Sequence, residues 1–488
     1  GEAWPERLAE LAGATLAGGR SSVIVVPDAR DLDRLTAALE SIAPGRCLAL
    51  SAALGPAERY RRFLAASRAA YGGVPRVVLG TRAAMFAPVA ALGLVAIWDD
   101  GDDLHAEPRA PYPHTREVLL TRAQLAEAGA LVAGFGRTAE GQLLLTTGWA
   151  REIAPERATV RARAPRVVPV GDTAQLERDP AATRARLPSV AWRAARDALA
   201  ADAPVLVQVP RRGYLPAVTC AQCRHPARCP ACAGPLALTS ASSSAQCRWC
   251  GHLAADFACP HCGARRVRAA VIGARRTAEE LGRAFPDVPV RTSGREEVHA
   301  SVPSGAALVV ATPGAEPLAD GGYGAALLLD TWALLTRPDL RAGEEALRRW
   351  LTAACLVRPA AQGGQVVVVA DGGLAPVQSL LRFDPGWYAD RELAERRSFG
   401  FPPAVRMASL TGTPDALAEF LELSELPDEA DVLGPVPLPD RDEERALVRV
   451  RRAAGPQLAA ALHAAAAVRS ARKAPDPVRI QIDPLDLL

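Results

Sequence analysis

Four Cys-x-x-Cys pairs supply the residues of this sequence that are best placed to do chemistry. Eight of the ten cysteines fall in these pairs, which are Cys220/Cys223, Cys229/Cys232, Cys247/Cys250 and Cys259/Cys262. A Cys-x-x-Cys turn can offer two thiolates to one metal at about 2.3 Å, and two such turns complete a tetrahedral site that leaves no position for a substrate. The spacing therefore predicts two structural zinc ions.

Disulfides and haem attachment are the competing interpretations of these cysteines. The first residues show no signal peptide and the remaining cysteines, Cys47 and Cys355, are solitary, which favours metal over disulfides. Haem attachment requires Cys-x-x-Cys-His, and no pair is followed by histidine. We expect His261, inside the last pair, to be a spectator. Cys47 and Cys355 are expected to be buried apolar residues rather than nucleophiles, since nothing nearby would lower their pKa.

Composition limits the number of domains and the class of protein. A chain of 488 residues is too long for one core and should form two to four domains. Its net charge of +3, from 57 basic and 54 acidic residues, neither implies nor excludes nucleic acid. No apolar stretch reaches the roughly 18 residues of a membrane span. We therefore expect a globular, cytoplasmic protein without membrane contact.

Lysine is almost absent, which restricts phosphate chemistry. Lys473 is the only lysine, and it lies near the C-terminus, away from any glycine-rich loop. A Walker A loop needs a lysine that reaches the β- and γ-phosphates of a nucleotide, so no such loop is present. The sequence starts at Gly1 without an initiator methionine, which is typical of a fragment of a longer chain.

Apolar runs alternate with helical patterns and predict parallel α/β domains. We expect a first lobe over residues 1–186, a second over 187–400 with the cysteine block inserted at 214–268, and a small α+β domain over 401–488. The insertion follows the first strand of the second lobe. The predicted strands are Val23–Val26, Arg76–Gly80, Leu92–Trp98, Ala130–Ala133, Pro204–Val209, Ala307–Thr312, Ala325–Asp330, Gln365–Ala370, Ala446–Val450 and Val478–Ile482.

Several short strings stand out in order along the chain. They are Gly80-Thr81-Arg82-Ala83-Ala84-Met85-Phe86-Ala87-Pro88, Arg211-Arg212-Gly213-Tyr214, Pro338-Asp339-Leu340-Arg341-Ala342-Gly343-Glu344, Glu392-Leu393-Ala394-Glu395-Arg396-Arg397 with Phe401-Pro402-Pro403, Val432-Leu433-Gly434-Pro435 and Asp483-Pro484. These strings resemble signatures of the PriA family of replication restart proteins, and together with the cysteine spacing they cover nearly the whole sequence. The resemblance implies two RecA-like helicase lobes with a double four-cysteine zinc insertion in the second.

The catalytic motifs of the family are lost here. Gly1-Glu2-Ala3 stands where the phosphate loop should end in Gly-Lys-Thr, and Trp98 replaces the aspartate that holds magnesium. Val357 and Ala360 occupy the positions of the finger arginines, with Arg358 one place away. Phosphoryl transfer depends on these charges. We therefore expect a degenerate member, a pseudo-helicase without ATPase activity. Whether ATP still binds is left open by these residues.

The resemblance also implies partners and site residues. It implies a nucleoid-associated primosome component that recognises stalled or abandoned forks and binds branched and single-stranded DNA. The implied protein partners are single-stranded DNA-binding protein and the machinery that reloads the replicative helicase.

Spacing alone allows three pairings of the cysteine turns. The resemblance implies the nested one, with Cys220, Cys223, Cys259 and Cys262 on one zinc and Cys229, Cys232, Cys247 and Cys250 on the other.

Arginines and one tyrosine are the candidate DNA contacts. Arg248, Arg265 and Arg266 accompany aromatic residues in the cysteine block, which suits phosphate contact and stacking. Tyr112 lies in a stretch that matches the family's aromatic-rich loop. The acidic run at residues 99–103 is expected to be a solvated turn.

Two other functions remain compatible with the sequence. The chain could be an active ATP-dependent 3′-5′ DNA helicase whose phosphate loop lies upstream of Gly1, although that enzyme would have to tolerate Trp98. It could also be a zinc-ribbon scaffold that binds only protein. Salt-dependent binding of branched DNA would separate the scaffold from a fork-binding factor.

Overall fold

The computed structural model describes most of the chain as two compact units. The described residues are 3–170, 187–210, 218–222, 227–231, 236–238, 244–247, 252–269, 274–294, 297–335, 337, 339–438 and 441–485. The central unit comprises residues 153–388. The terminal unit comprises residues 3–152 together with residues 389–488.

A five-stranded parallel sheet forms the N-terminal half of the terminal unit. Its strands are apolar, and the three central ones are mostly buried, as expected for a parallel sheet covered on both faces, whereas the two edge strands are only partly buried. The spatial order is β2-β3-β1-β4-β5. The strands are β1 (Ser21–Val25), β2 (Cys47–Leu50), β3 (Val77–Gly80), β4 (Leu92–Trp98) and β5 (Gly129–Ala133).

Helices cover both faces of this first sheet. α1 and α2 pack on one face through Leu8, Leu35 and their neighbours, whereas α3 and α4 pack on the other through Ala66 and Leu119. Proline in the first turn starts α1 and α3, and Asp28 caps α2 by accepting a hydrogen bond from the Asp31 amide. The helices are α1 (Trp4–Ala17), α2 (Ala29–Ile42), α3 (Pro56–Tyr71), α4 (Thr115–Leu125) and α5 (Ala139–Thr146).

A six-stranded parallel sheet forms the core of the central unit. Its order is β12-β14-β7-β16-β17-β6, and Val205, Val207 and Val310 lie in its buried core. Its strands are β6 (Arg166–Pro169), β7 (Val205–Gln208), β12 (Val290–Ser293), β14 (Leu308–Ala311), β16 (Ala325–Leu328) and β17 (Gln365–Val368). Its helices are α6 (Arg157–Arg163), α7 (Ser189–Ala200), α8 (Ala274–Ala284), α9 (Trp332–Leu335), α10 (Ala342–Cys355), α11 (Ala375–Arg382) and the start of α12 (Pro385–Phe399).

The cysteine block interrupts this second sheet between β7 and α8. It contains two short antiparallel pairs, β8 with β11 and β9 with β10. A further parallel pair, β13 (Ser301–Val302) with β15 (Leu318–Ala319), follows it in the same unit. The block's strands are β8 (Val218–Cys220), β9 (Leu236–Ala237), β10 (Gln246–Cys247) and β11 (Val267–Ala269).

The C-terminal part is a four-stranded antiparallel sheet with helices on one face. The order is β19-β20-β18-β21, and Leu410, Val448 and Leu458 belong to its core. α12 joins this part to the first sheet, because Leu393 packs on Ala139 and Leu143 of α5. The elements are β18 (Val405–Gly412), α13 (Pro414–Leu423), β19 (Asp431–Pro437), β20 (Glu444–Arg451), α14 (Gly455–Ala471) and β21 (Arg479–Ile482).

The parallel α/β architecture is confirmed, whereas the compact units differ from the ranges expected from sequence. Residues 166–169, expected within the first lobe at 1–186, pair with β17 in the second sheet. The residues after 400 were expected as a separate domain, and they share one compact unit with the first sheet. Within the described residues, no helix is long and apolar enough to cross a membrane.

Candidate metal centre and the carboxyl end of the first sheet

Three cysteines from the outer Cys-x-x-Cys pairs come together in the cysteine block. The Sγ atoms of Cys220, Cys259 and Cys262 all lie within 4.8 Å of one another. Cys220 ends β8 and faces β11 in the ladder, which brings the two ends of the block side by side. The Cys220 and Cys262 sulfurs are 3.5 Å apart, well beyond the roughly 2.05 Å of a disulfide.

The separation of these sulfurs suits a tetrahedral metal. Bonds of about 2.3 Å to one zinc place two sulfurs about 3.8 Å apart. The amide of Gln222 also points at the Cys220 sulfur at 3.4 Å, and a hydrogen bond to sulfur favours the thiolate that zinc requires. Cys223, expected as the fourth ligand, lies outside the described residues. The three described cysteines are therefore close enough together to bind one metal ion.

Two cysteines of the inner pairs, Cys229 and Cys247, lie among the described residues of the cysteine block. Cys229 and Cys247 are both buried in the small core of the block, and the Ala231 amide points at the Cys229 sulfur at 3.4 Å. Cys247 faces Leu236 in the β9–β10 ladder. Cys232 and Cys250 lie outside the described residues.

The expected DNA contacts are distributed over both compact units. Arg265 and Arg266 are exposed beside Cys262, and the Arg266 carbonyl accepts a hydrogen bond from Ala221 that ties this turn to the β8 end. Tyr112 is half-buried in a loop of the terminal unit. Arg248 lies outside the described residues.

At the carboxyl end of β4, Trp98 is a core residue. Its side chain is only 8% exposed, and its ring stacks on Trp4 with 4.3 Å between centroids. Phe135 packs edge-on against it at 5.2 Å, and the Arg34 guanidinium lies 5.1 Å from the centre of the Trp4 ring. Carboxyl ends of parallel strands are where α/β proteins bind ligands. Here two indoles and a phenyl ring fill that position.

The acidic run after Trp98 is partly buried, which differs from the solvated turn expected from sequence, although Asp103 is exposed and Asp99 is half-buried. Asp100 and Asp102 are each 5% exposed. Asp100 accepts hydrogen bonds of 2.8 Å from both Arg116 and Thr138, so its charge is compensated inside the fold. The expectation was wrong because the compensating partners come from α4 and from the cap of α5, far along the chain.

Arg116 and Arg396 anchor a buried charge network. Burial acts to lower the pKa of Arg116, but the carboxylates of Glu140, Asp100 and Glu117 outweigh it and the pKa is raised. Arg396 of α12 is 2% exposed and lies 3.9 Å from Glu140 and 2.9 Å from Glu392. The network therefore links the first sheet to the C-terminal part within the terminal unit.

Comparison with known proteins gives consistent results along the whole chain. The family model "Primosomal protein N C-terminal domain" matches residues 397–485. A probable replication restart protein PriA of Mycobacterium leprae (strain TN) is 53% identical over 501 residues, which cover 100% of this chain and 76% of that protein. The corresponding protein of Mycobacterium tuberculosis (strain H37Rv) is 52% identical, covering 100% and 77%.

The chain belongs to the PriA family. More distant members include the replication restart protein PriA of Bacillus subtilis (strain 168), 21% identical over 417 residues that cover 83% of this chain and 51% of that protein. The crystal structure of T4 UvsW aligns with 80% of this chain and 68% of its own at a TM-score of 0.22 and 11% identity, too low to support a fold argument.

Most strings that resemble PriA signatures lie in described parts of the chain, whereas Arg211-Arg212-Gly213-Tyr214 and Pro338 lie outside the described residues. The string at 392–397 lies on α12 and contributes Arg396 to the buried network. The matched PriA C-terminal domain contains β18 to β21 and both helices that cover them. Sequence reasoning missed Arg116 as an organising residue, although it is the last residue of the stretch at 111–116 that resembles the family's aromatic-rich loop.

The two solitary cysteines are half-buried rather than fully buried as expected from sequence, but both have the raised pKa of an inert thiol. Burial raises the pKa of Cys47 to about 11 and that of Cys355 to about 12. Both thiols therefore stay protonated near neutral pH, and neither is activated as a nucleophile.

Proposed function

We propose that this chain is a replication restart factor that recognises forked DNA, holds two structural zinc ions and has no helicase activity. Family membership supports the restart role, since the relatives at 52–53% identity are named probable replication restart proteins. The burial of Trp98 against Trp4 is the observation that carries the loss of activity. An indole packed in a core offers no ligand for magnesium at the position where the family resemblance expects one.

The two parallel sheets are proposed to be the two RecA-like lobes, the first degenerate. The insertion at 214–268 interrupts the second lobe after β7 and holds the zinc ions. We expect the C-terminal domain to stay packed against the first lobe. The contact of Arg396 with Glu140 and the packing of Leu393 on α5 support this. The proposed domain ranges are 1–186 for the first lobe, 187–400 for the second lobe and 401–488 for the C-terminal domain.

Zinc is proposed to hold the insertion together in the nested arrangement. The proximity of Cys220, Cys259 and Cys262 supports the outer site, which Cys223 would complete. When bound, a structural zinc supplies folding energy to a segment whose own core is small. The inner site would use Cys229, Cys232, Cys247 and Cys250.

DNA and primosome proteins are the proposed partners. Phosphates of the DNA would be contacted by the exposed Arg265 and Arg266 together with Arg248. Tyr112, which lies in the terminal unit, would contact a base of the DNA. The protein partners would be single-stranded DNA-binding protein and the helicase-loading machinery.

The decisive experiment measures ATP hydrolysis, unwinding and fork binding on the same preparation. We expect fork binding in the absence of nucleotide, and no DNA-stimulated hydrolysis above the rate of a blank. A helicase with an intact phosphate loop serves as the positive control. DNA-stimulated hydrolysis by the purified chain would instead support the alternative, an active 3′-5′ helicase.

The fork-binding part has its own variant. Replacing Arg248, Arg265 and Arg266 together by alanine should weaken fork binding and flatten its salt dependence without lowering zinc content. Each phosphate contact contributes roughly 0.7 to the log-log salt slope on single strands and about 0.9 on duplex. If the triple variant binds forks like wild type at every salt concentration, these arginines only make the insertion soluble. That result would favour the alternative function, a zinc-ribbon scaffold that binds only protein.

A further inference from the structure

Helix α3 exposes more aromatic surface than its position in the fold requires. Ala66 is the only buried residue on this helix, which covers the edge strand β2. The exposed fractions of Tyr60, Phe63 and Tyr71 are 64%, 44% and 94%. A helix that only closes a sheet edge would keep its large rings against the core.

The exposed rings lie on one side of the helix. At 100° per residue, Tyr60, Phe63 and Tyr71 fall within about 80° of one another, and their mean direction is more than 90° from that of Ala66. The three rings extend over about 16 Å of helix at 1.5 Å per residue. Together they form an aromatic strip, which we define as Tyr60, Phe63 and Tyr71.

Arginines flank the aromatic strip. Arg61 and Arg68 are exposed and separated by seven residues, so they lie on the same line beside the rings. The helix carries four arginines, with Arg59 and Arg62, and a single acid, Glu58. Glu58 is shared by Arg61 and Arg62 at 2.8 Å, and Arg62 also donates to the Ala49 carbonyl. Within the described residues no carboxylate pairs with Arg59 or Arg68.

We infer that α3 is a binding site for single-stranded DNA, with bases stacked on the aromatic strip and phosphates held by Arg61 and Arg68. Base stacking on exposed rings beside a line of positive charge is how proteins bind single strands without reading sequence. The excess of arginine over acid matches a polyanion. The inference rests on the proposed DNA binding of this chain and adds a site outside the zinc insertion and outside the Tyr112 loop.

Charge and composition favour DNA over a protein partner on this helix. The core of a protein interface is depleted of charge, and its apolar area is continuous. On α3 the rings are interrupted by arginine and small residues, and Leu64, the large aliphatic residue among them, is half-buried. The spacing of rings and charges therefore fits a strand whose bases and phosphates alternate.

The test separates ring stacking from simple apolar contact. Binding of the full chain to a labelled 20-nucleotide oligo-dT would be measured by anisotropy for two double variants. Y60F with Y71F keeps both rings and should bind within about twofold of wild type. Y60L with Y71L keeps apolar area but removes both rings, and should bind at least about tenfold more weakly, because the bases lose the rings on which they stack.

The charge contribution is tested with a matched control. R61Q with R68Q should reduce the log-log salt slope on oligo-dT by about 1.4, or about 0.7 for each contact. R7Q with R391Q removes two arginines of similar exposure from α1 and α12 and should keep the wild-type slope. Thermal melting confirms that each variant is folded.

The outcomes distinguish this site from the proposed function. If wild type binds forks and oligo-dT but the leucine variant binds as tightly as the phenylalanine variant, the α3 site is overturned and the proposed function stands. An unchanged salt slope in the arginine variant also overturns it. If wild type binds neither forks nor oligo-dT, the DNA-binding part of the proposed function fails together with this site.

Discussion

Arg116 donates a hydrogen bond of 2.8 Å to Asp100, and both side chains are at most 7% exposed. Asp100 follows β4 and Arg116 lies in the first turn of α4, so the pair fixes the loop between them. Thr138 donates to the same carboxylate oxygen and also caps α5. One carboxylate thus organises three elements around the edge of the first sheet.

Removing one partner of this pair should destabilise the terminal unit strongly. Arg116→Ala leaves the buried Asp100 carboxylate without the cation that pairs with it, with only the Thr138 hydroxyl donating to it, and we expect a loss of about 3–5 kcal/mol in the free energy of unfolding. Denaturant titration measures it. Arg7→Ala, which removes the exposed pair with Glu10, is the control and should cost less than about 0.5 kcal/mol. A loss below about 1 kcal/mol for Arg116→Ala would show that water reaches Asp100.

Trp98 should behave as a core residue and not as a degenerate catalytic one. Trp98→Ala removes the stack on Trp4 and the contact with Phe135, so we expect the free energy of unfolding to fall by about 3–5 kcal/mol. Trp98→Phe keeps an aromatic ring and should lower the free energy of unfolding by less. Trp98→Asp should destabilise the fold and restore no ATPase activity. Hydrolysis by Trp98→Asp above that of a matched Trp98→Asn preparation would contradict this interpretation.

The sequence predicted the buried parallel strands well, because short apolar runs bounded by turn residues are a local signal. Leu92–Trp98 coincides with β4, and Gln365–Ala370 contains β17. β6 was missed because its residues, Arg166–Pro169, include arginine and proline, which suit the edge position that it takes in the second sheet.

The site was predictable only where its residues are close in sequence. The Cys-x-x-Cys spacing is visible in the sequence, and in the structure the Sγ atom of Cys220 lies close to those of Cys259 and Cys262. The Asp100 network joins residues 16 and 38 positions apart, which no local pattern reveals. From sequence alone, an acidic run that follows a strand predicts an exposed turn, because the tertiary contacts that bury it are not visible.

Asp31 should make the terminal unit less stable as the pH rises from about 4 to 7. Burial, then the nearby charges of Asp28 and Asp99, raise the pKa of Asp31 from 3.8 to about 7. Between these values the folded chain binds a proton that the unfolded chain has lost, so the free energy of unfolding falls with pH. Asp31→Asn removes this dependence and should melt higher than wild type at pH 8.

Two measurements check this pH effect. The difference in melting temperature between Asp31→Asn and wild type should be larger at pH 8 than at pH 5. Asp33→Asn, an exposed position on the same helix, is the matched control and should follow the wild-type pH dependence. Equal differences at the two pH values would mean that the Asp31 carboxyl ionises in the folded state as it does in the unfolded one.

Zinc content in cysteine variants should reveal which turns share an ion. Wild type should contain two zinc ions by elemental analysis. Cys220→Ser and Cys259→Ser should each lower the content to one, because either substitution removes a ligand of the outer site. Their combination should still retain one zinc, since both ligands belong to the same ion. Cys220→Ser with Cys247→Ser should retain none, since it removes a ligand from each site. The 3.5 Å distance between the Cys220 and Cys262 sulfurs supports the nested arrangement. Each of the other two pairings of the turns assigns Cys220 and Cys259 to different ions. A Cys220→Ser/Cys259→Ser protein that contains no zinc would therefore reject the nested arrangement.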